Sequence, residues 1–150
     1  MGPSPRVDRY SETYCALMCD IDFFKQYNDS VGHLGGDMVL RDVAAALRGA
    51  CREGDQVYRF GGEEFLIILY HCEIEGALER AEHFRAIVEQ LAIPHLASPL
   101  GKVTISIGVS CLAPGGHPST QAWLINADNA LYEAKDRGRN RVEAEATVRA

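Results

Sequence analysis

The sequence predicts one α+β domain with a ferredoxin-like βαββαβ core, extended by a C-terminal helix and a short edge strand. Three observations lead to this fold class. Segments with strand and helix patterns follow one another in that order, and a glycine pair joins two strand segments near the middle of the chain. At 150 residues, 47% of them hydrophobic, the chain also has the length and composition to bury one core.

The first predicted elements are a strand and a helix. Residues 13–21 (TYCALMCDI) are apolar at both odd and even positions, which is typical of a central strand covered on both faces. Residues 22–37 predict a short helical turn followed by a glycine-rich loop. In residues 37–50 the apolar side chains recur at helical spacing, which predicts an amphipathic helix.

A hairpin is predicted next. The strand segments QVYRF and EEFLIILY flank Gly61 and Gly62. Glycine readily adopts the positive φ that primed turns need, so this pair indicates a tight turn between two antiparallel strands.

The following segments predict a helix, a loop and a strand. Residues 75–92 carry an apolar stripe at helical spacing, and Pro94 and Pro99 then mark a loop. Residues 102–110 (KVTISIGVS) alternate between apolar and other side chains, as in a strand with one face on the core. The residues expected to face the core are Val103, Ile105, Ile107 and Val109.

The last elements are a capped helix and an edge strand. Ser119 is a suitable N-cap for a helix that runs to about residue 136, and Gly138 is a suitable stop for it. A short edge strand is expected near Val142. Trp123 is expected in the core.

Composition excludes several classes of function. The formal net charge of −6 argues against a nucleic-acid partner, because such binding needs a basic face. A small phosphate ligand remains possible as a partner, since carboxylates can hold a metal ion that carries the phosphates.

The sequence has no apolar run of about 18 residues, and its first residues lack the apolar segment of a signal peptide. We therefore expect a soluble, cytoplasmic chain with no membrane contact.

The cysteines are expected to be small buried side chains in a reducing compartment rather than a disulfide framework. Their number is odd and no Cys-x-x-Cys pair occurs among them. They are Cys15, Cys19, Cys51, Cys72 and Cys111.

Three acidic residues are candidates for a metal site. Asp20 ends the first strand, and Glu63 and Glu64 open the third. In the predicted topology these strands are antiparallel neighbours, which brings the three carboxylates to one end of the sheet. Such a cluster suits Mg²⁺, and shared carboxylates can hold two metal ions. For the glutamates alone the simpler interpretation is a solvated hairpin tip, whereas Asp20 on an apolar strand is harder to explain without a partner.

Basic residues near both ends of the chain are candidate phosphate ligands. The helix start after the first strand, together with Lys25, offers N–H groups and a cation to an anion. A second basic cluster is equally well explained by the favourable position of cations at a helix C-terminus. Its members are Lys135, Arg137, Arg139 and Arg141.

Two residue pairs are ambiguous on spacing alone. Asn28 and Asp37 flank the glycine-rich loop, and a carboxylate suits the N–H edge of guanine, but a turn residue and a helix cap are the simpler interpretation. Arg52 and Asp55 form an Arg-x-x-Asp spacing that arises often by chance on a solvated loop.

The five histidines show no ligand-like pairing and are predicted to be surface or loop residues.

The sequence contains the four motifs CDIDFFKQYNDSVGHLGGD, RFGGEEF, TISIGVS and ADNALYEAKDRGRNRV. Their order and spacing resemble those of the GGDEF-domain diguanylate cyclases. They extend over about residues 13–143. The resemblance implies a nucleotide-cyclase and polymerase-palm-like form of the fold, with residues 13–150 as the catalytic domain and residues 1–12 as an N-terminal tail. Family members usually carry an Asp-x-Leu-Thr-Gly-Leu-x-Asn-Arg stretch before the first strand, and GPSPRVDRY stands in its place here.

The resemblance implies an enzyme that joins two GTP molecules into cyclic di-GMP and releases two pyrophosphates. One GTP would be held by each of two facing domains, so catalysis needs a homodimer. Asp20, Glu63 and the backbone carbonyl of Ile21 would bind two Mg²⁺ ions per active site, with Mn²⁺ as an alternative. Glu64 is the candidate to help deprotonate the attacking 3′-hydroxyl.

The resemblance also assigns residues to the substrate and to the product. Asn28 and Asp37 would hydrogen-bond the guanine, and Arg52 and Asp55 match an inhibitory site for cyclic di-GMP. The residues expected to hold the phosphates are Phe23, Phe24, Lys25, Lys135 and Arg139. We expect a sensor or regulatory domain elsewhere in the full-length protein.

Two other classes of function are weighed against this one. A catalytically silent receptor for cyclic di-GMP or GTP would keep Arg52 and Asp55, but such proteins have usually lost the acidic residues that are present here. A polymerase-like palm would need a basic template groove, which this acidic chain does not supply.

Overall fold

The computed structural model describes residues 13–113 and 119–145, which form a five-stranded sheet with helices on both faces. The strands are β1 (Tyr14–Ile21), β2 (Gln56–Arg59), β3 (Glu64–Tyr70), β4 (Ile105–Leu112) and β5 (Val142–Ala144). The helices are α1 (Phe24–Gly49), α2 (Ile74–Gln90) and α3 (Thr120–Asp136). This order confirms the predicted fold class, including the added helix and edge strand. The predicted tail, residues 1–12, lies outside the described residues.

The central strand of the sheet is β1. The strand order is β2-β3-β1-β4-β5, with β1 antiparallel to both neighbours and β5 parallel to β4. Every β1 residue after Tyr14 is buried, as expected for a strand covered on both faces. The C-terminal end of β1 therefore lies between the start of β3 and the start of β4.

Two apolar clusters hold the helices on the sheet. The larger one joins the sheet to α1 and α2 and includes Leu17, Leu47 and Phe84, all fully buried. The smaller one lies under α3 and includes Met18 and Trp123. Four residues in and just before β4 were predicted to face the core, and all are fully buried: Val103, Ile105, Ile107 and Val109. Backbone atoms of α3 lie so close to Gly108 that a Cβ there would overlap them, so this glycine lets α3 approach the sheet.

The glycine-rich segment after β1 differs from its prediction. Residues 22–37 were expected to contain a loop, but α1 continues through them with one kink at Gly32 (φ 87°, ψ 169°). Glycine adopts this left-handed φ without the penalty that a Cβ imposes, so one residue achieves the change of direction.

The β2–β3 hairpin is present, but its turn is not the predicted tight primed turn. Since β2 ends at Arg59 and β3 begins at Glu64, the connection is residues 60–63, and neither Gly61 nor Gly62 has a positive φ. Instead the Arg59 guanidinium donates to the Gly61 carbonyl at 3.3 Å and to the Gly62 carbonyl at 2.7 Å. The Arg59 side chain and the Phe60 N–H, which donates to the Glu64 carbonyl at 2.9 Å, therefore close this turn without a glycine at positive φ.

The expectation of unpaired cysteines is wrong for two of the five. Cys15 on β1 and Cys111 on β4 form a disulfide, while Cys19, Cys51 and Cys72 are free. The two bonded residues are direct partners in the antiparallel register, a proximity that their separation of 96 in the sequence conceals.

The C-terminal helix begins and ends as predicted. The Ser119 hydroxyl accepts the Ala122 N–H at 3.1 Å, and Gly138 (φ 126°) lies just beyond the helix end. None of the helices in residues 13–113 and 119–145 combines the length and apolar character needed to cross a bilayer.

Candidate active site

The three candidate acids converge at one end of the sheet. Asp20 is the direct antiparallel partner of Glu64, so their side chains lie on the same face. Glu63 precedes Glu64, and its carbonyl accepts the Ile21 N–H at 3.3 Å. The sequence-based prediction that β1 and β3 would bring Asp20 and Glu63 together is confirmed by this register.

The pKa values of all three acids are raised above their ordinary values. Burial raises the pKa of Asp20, although the hydrogen bond and positive charge of Lys135 act in the opposite direction. Burial is the main cause that raises the pKa of Glu63 and of Glu64, and the negative charge of Asp20 is the second. Asp128 adds to the effect on the Glu64 pKa. A cation bound among these groups would favour their charged forms.

The donor set fits a hard divalent cation. Asp20 is 3% exposed, and its Oδ1 is buried without a hydrogen-bond partner, while its Oδ2 accepts from Lys135. No group of three or more Cys, His, Asp or Glu side chains in residues 13–113 and 119–145 is arranged to hold a metal. Two carboxylates and the Ile21 carbonyl nevertheless suit Mg²⁺, which usually takes one or two carboxylates and completes its shell with water and phosphate oxygens.

A cavity of about 160 Å³ adjoins these acids. It is lined by Asp20, Ile21, Asp22, Phe23, Phe24, Lys25, Gln26, Glu63, Lys135 and Arg139. All eight residues predicted to bind metal or phosphate are in this set. Lys135 and Arg139 lie near the far end of the sequence. They reach this cavity because α3 packs beside β1 and β4.

The backbone around this cavity adopts left-handed conformations at non-glycine residues. Phe23, immediately before α1, has φ 56° and ψ 36°. Arg139 and Asn140 have φ 66° and 49°, and the Arg139 guanidinium lies 4.5 Å from the centre of the Phe23 ring. Such conformations are costly and cluster at functional sites, where the surrounding structure holds them in place.

Asp22 holds these segments together, and sequence reasoning missed it. Its buried carboxylate accepts the hydroxyls of Thr104 at 2.7 Å and Ser106 at 2.6 Å, and the Asn140 N–H at 3.0 Å. It thereby ties the end of β1 to β4 and to the turn that carries Arg139. The only sequence signal was a second acid two positions after Asp20.

His95 is the other residue that the sequence analysis did not assign to the site. It lies in the loop between α2 and β4, as predicted, but it is 1% exposed rather than at the surface. Its Nε2 is 2.9 Å from the Phe23 carbonyl oxygen. No sequence signal distinguishes it from the other histidines.

Neither Asn28 nor Asp37 lines the metal cavity. A Cβ at Gly36 would overlap the Asn28 Oδ1, so Asn28 packs directly against the residue that precedes Asp37. That oxygen is buried and has no hydrogen-bond partner among the described residues. Asp37 is exposed and lines a second cleft of about 330 Å³, together with Arg41 and two further arginines.

Arg52 and Asp55 belong to a separate cluster that includes Arg80, which sequence reasoning missed. The Asp55 carboxylate accepts the Arg52 backbone N–H at 2.8 Å and an N–H of Arg80 at 2.6 Å. The side chains of Arg80 and Asp55 are 11% and 7% exposed, whereas Arg52 is exposed. Asp55 therefore also joins the loop before β2 to α2.

Comparison with known proteins agrees with this geometry. The profile of the family "Diguanylate cyclase, GGDEF domain" matches residues 4–141. Diguanylate cyclase A of Treponema denticola is 44% identical over 131 residues, which are 87% of this chain and 35% of that protein. Diguanylate cyclase VdcA of Vibrio cholerae is 42% identical over 128 residues, 84% of this chain and 37% of that protein. The chain thus spans about a third of the length of these relatives.

Solved structures show the same fold. The GGDEF domain of DgcB from Caulobacter crescentus, in complex with c-di-GMP, has a TM-score of 0.82 at 32% identity and covers 96% of this chain and 84% of its own. The active GGEEF domain of a diguanylate cyclase from Vibrio cholerae has a TM-score of 0.77 at 32% identity, covering 96% and 88%. The profile, the curated relatives and these structures agree, and the chain belongs to the diguanylate cyclase GGDEF domain family.

Proposed function

We propose that this chain is the catalytic part of a diguanylate cyclase, which condenses two GTP molecules into cyclic di-GMP and releases two pyrophosphates. One observation carries the proposal. Residues from three separate segments, which include Asp20, Glu63 and Lys135, line a single cavity that carries both acidic and basic side chains. A site for a metal-bound nucleotide needs both kinds of group.

The acids would hold the metal and accept a proton. Asp20, Glu63 and the Ile21 carbonyl would bind divalent ions, two per site, and the bound metal would supply Lewis-acid stabilisation of the reacting oxygens. Glu64 would take the proton of the attacking 3′-hydroxyl. Its raised pKa supports that role, because a general base works best when its pKa lies nearer the operating pH.

The basic residues would hold the phosphates. Lys25 is 84% exposed and, among the described residues, pairs with the exposed Asp29 at 3.3 Å, so it can turn toward a ligand. Lys135 bonds Asp20 and Arg139 lies over Phe23, and both would contact the β- and γ-phosphates together with the backbone of Phe23 and Phe24. Metal bound to Asp20 would release Lys135 for this role.

Asn28 and Asp37 would recognise guanine. The buried Asn28 Oδ1 has no hydrogen-bond partner within residues 13–113 and 119–145, and Asp37 has an exposed carboxylate one residue after Gly36. A carboxylate accepts from the N1–H and N2–H₂ edge of guanine, an edge that adenine lacks. Together the pair would select GTP over ATP.

Two copies of the chain are needed for the reaction. In the cyclic product each 3′-oxygen is joined to the other molecule's phosphorus, so two sites must face each other. Arg52 and Asp55, with Arg80 behind them, would bind the product and limit its synthesis. The exposed Arg52 side chain and the absence of both residues from the lining of the metal cavity support a separate site.

The test is incubation with GTP and Mg²⁺, followed by chromatography for the cyclic dinucleotide. Glu63→Gln should abolish product formation, whereas Glu79→Gln, an exposed matched control on α2, should leave it unchanged. Activity per molecule should rise with enzyme concentration. A chain that binds GTP or cyclic di-GMP but forms no product at any concentration would instead be a receptor.

A further inference from the structure

We infer that His95 is a positioning residue for nucleotide binding: its imidazole holds the Phe23 carbonyl and so maintains the backbone turn that receives the phosphates. This inference rests on the proposed function of the cavity. His95 itself does not line the cavity, so it acts through Phe23 and not by touching the ligand.

The contact has a defined direction. The His95 Nε2 is 2.9 Å from the Phe23 carbonyl oxygen, and a carbonyl only accepts hydrogen bonds. Nε2 must therefore carry the proton and donate it. The same oxygen accepts the Tyr27 N–H at 3.0 Å, the first backbone bond of α1. Two donors thus fix the orientation of the Phe23 peptide group.

The turn needs this support because its backbone is unfavourable. Phe23 has φ 56°, a left-handed conformation that residues with a Cβ rarely adopt. This conformation directs the chain from β1 into α1 and leaves the first N–H groups of the helix without helical partners beside the cavity. If Phe23 relaxed to an ordinary conformation, those N–H groups would change direction.

The loop that carries His95 is itself closed. The His95 N–H donates to the Gly101 carbonyl at 3.2 Å, and Ser98 N–H donates to the His95 carbonyl at 3.1 Å. The imidazole packs edge-on against Tyr27, with 5.0 Å between ring centres. Its Nδ1 is buried without a hydrogen-bond partner among the described residues. The ring is therefore held in one place, and within the part of the chain that the structure describes its hydrogen bond is to Phe23.

A general structural role and a positioning role predict different binding results. Support for the phosphate turn affects ligands with a β- and γ-phosphate, whereas general destabilisation affects every guanine ligand alike. The measurement is the dissociation constant of 3′-deoxy-GTP, which lacks the attacking hydroxyl and is not turned over, compared with that of GMP, each with Mg²⁺ and by calorimetry.

Three variants separate the outcomes. His95→Leu removes the donor and should weaken 3′-deoxy-GTP binding about tenfold while GMP binding changes less than about twofold. His95→Gln keeps an N–H donor at a similar reach and should stay within about threefold of the original chain for both ligands. Leu69→Ala, a buried control at the opposite end of β3, should lower stability without changing the ratio of the two constants.

Several results would overturn the inference. They are equal losses for both ligands, no loss in His95→Leu, or a His95→Gln variant as weak as His95→Leu. Should His95→Leu not fold, His95→Asn takes its place, because its amide is too short to reach the carbonyl. A chain that binds 3′-deoxy-GTP but makes no cyclic di-GMP from GTP contradicts the proposed enzyme and leaves this comparison valid. No binding of 3′-deoxy-GTP would overturn both.

Discussion

The Arg52–Asp55 cluster leads to a prediction in which two residues of one proposed site behave differently. Asp55→Ala should destabilise the fold strongly, whereas Arg52→Ala should hardly affect it. Asp55 is the buried partner of Arg80, so its removal leaves a guanidinium 11% exposed without its counter-charge. Arg52 has an exposed side chain, and its contact with Asp55 is made through its backbone N–H, which alanine retains.

The size of the effect follows from these contacts. Breaking a buried ion pair by removing one partner costs about 3–5 kcal/mol. Arg80 retains its bond to the Ala50 carbonyl at 3.3 Å and its position over the Phe84 ring at 5.0 Å, which favours the lower end of that range. We therefore expect a loss of about 3 kcal/mol for Asp55→Ala, or roughly 6–12 °C in Tm for a domain of this size. Arg52→Ala should stay within about 0.5 kcal/mol of the original chain.

Denaturant unfolding of both variants measures the difference, and Arg80→Met completes a double-mutant cycle with Asp55→Ala. In the double variant the uncompensated charge is gone, so it should be more stable than Asp55→Ala alone. Assays of product inhibition on the same samples should show relief in both single variants, with an unchanged initial rate for Arg52→Ala. Equal stability of Asp55→Ala and Arg52→Ala would refute the burial argument, and unchanged inhibition in Arg52→Ala would remove the proposed product site.

Three further predictions concern the metal cavity, the guanine site and a distant ion pair. Glu63→Gln should raise the stability of the metal-free chain by about 1 kcal/mol in thermal unfolding, since it removes one like charge from a partly screened cluster; a loss of stability would contradict this. Gly36→Ala should displace Asn28 and raise the KM for GTP about tenfold, measured beside Gly49→Ala, which has open space at its Cβ. The hydrogen bond from Arg85 lowers the pKa of Glu89 below its usual value of 4.5. The stability that this pair gives to the fold is therefore complete above pH 4.5 and is lost as the pH falls through the lower pKa of Glu89 in the folded state. Arg85→Met should thus cost about 1 kcal/mol at pH 7 but much less near pH 3, and a cost independent of pH would refute the assignment.

The secondary structure was predictable because its signals are local. The apolar spacing of 13–21, 75–92 and 102–110 placed three elements correctly, and Ser119 capped α3 as its side chain suggested. The errors occurred where a distant or neighbouring side chain replaced a local rule. Arg59 closes the hairpin that was assigned to glycine conformation, and the cysteine pair across β1 and β4 is set by strand register.

The candidate site divides in the same way. The residues predicted to bind metal or phosphate, Asp20 and Glu63 among them, were picked out because they lie in motifs at the ends of predicted elements, and the structure places them around one cavity. Asp22 and His95 were not, because their importance lies in what they touch. Asp22 accepts hydrogen bonds from Thr104, Ser106 and Asn140. His95 donates to a carbonyl 72 positions earlier in the chain.

The amino-acid sequence by itself determined the order of elements, the acidic and basic character of the candidate site, and the candidate residues for its chemistry. Only the tertiary structure decided that Lys135 bonds Asp20, that Arg80 is buried against Asp55, and that a histidine supports the Phe23 turn. Periodicity, capping and turn chemistry act over a few residues, so they can be recognised in the local sequence. Burial and hydrogen-bond pairing between segments depend on how the whole chain packs, so they take a definite form only when the sheet and its helices are assembled.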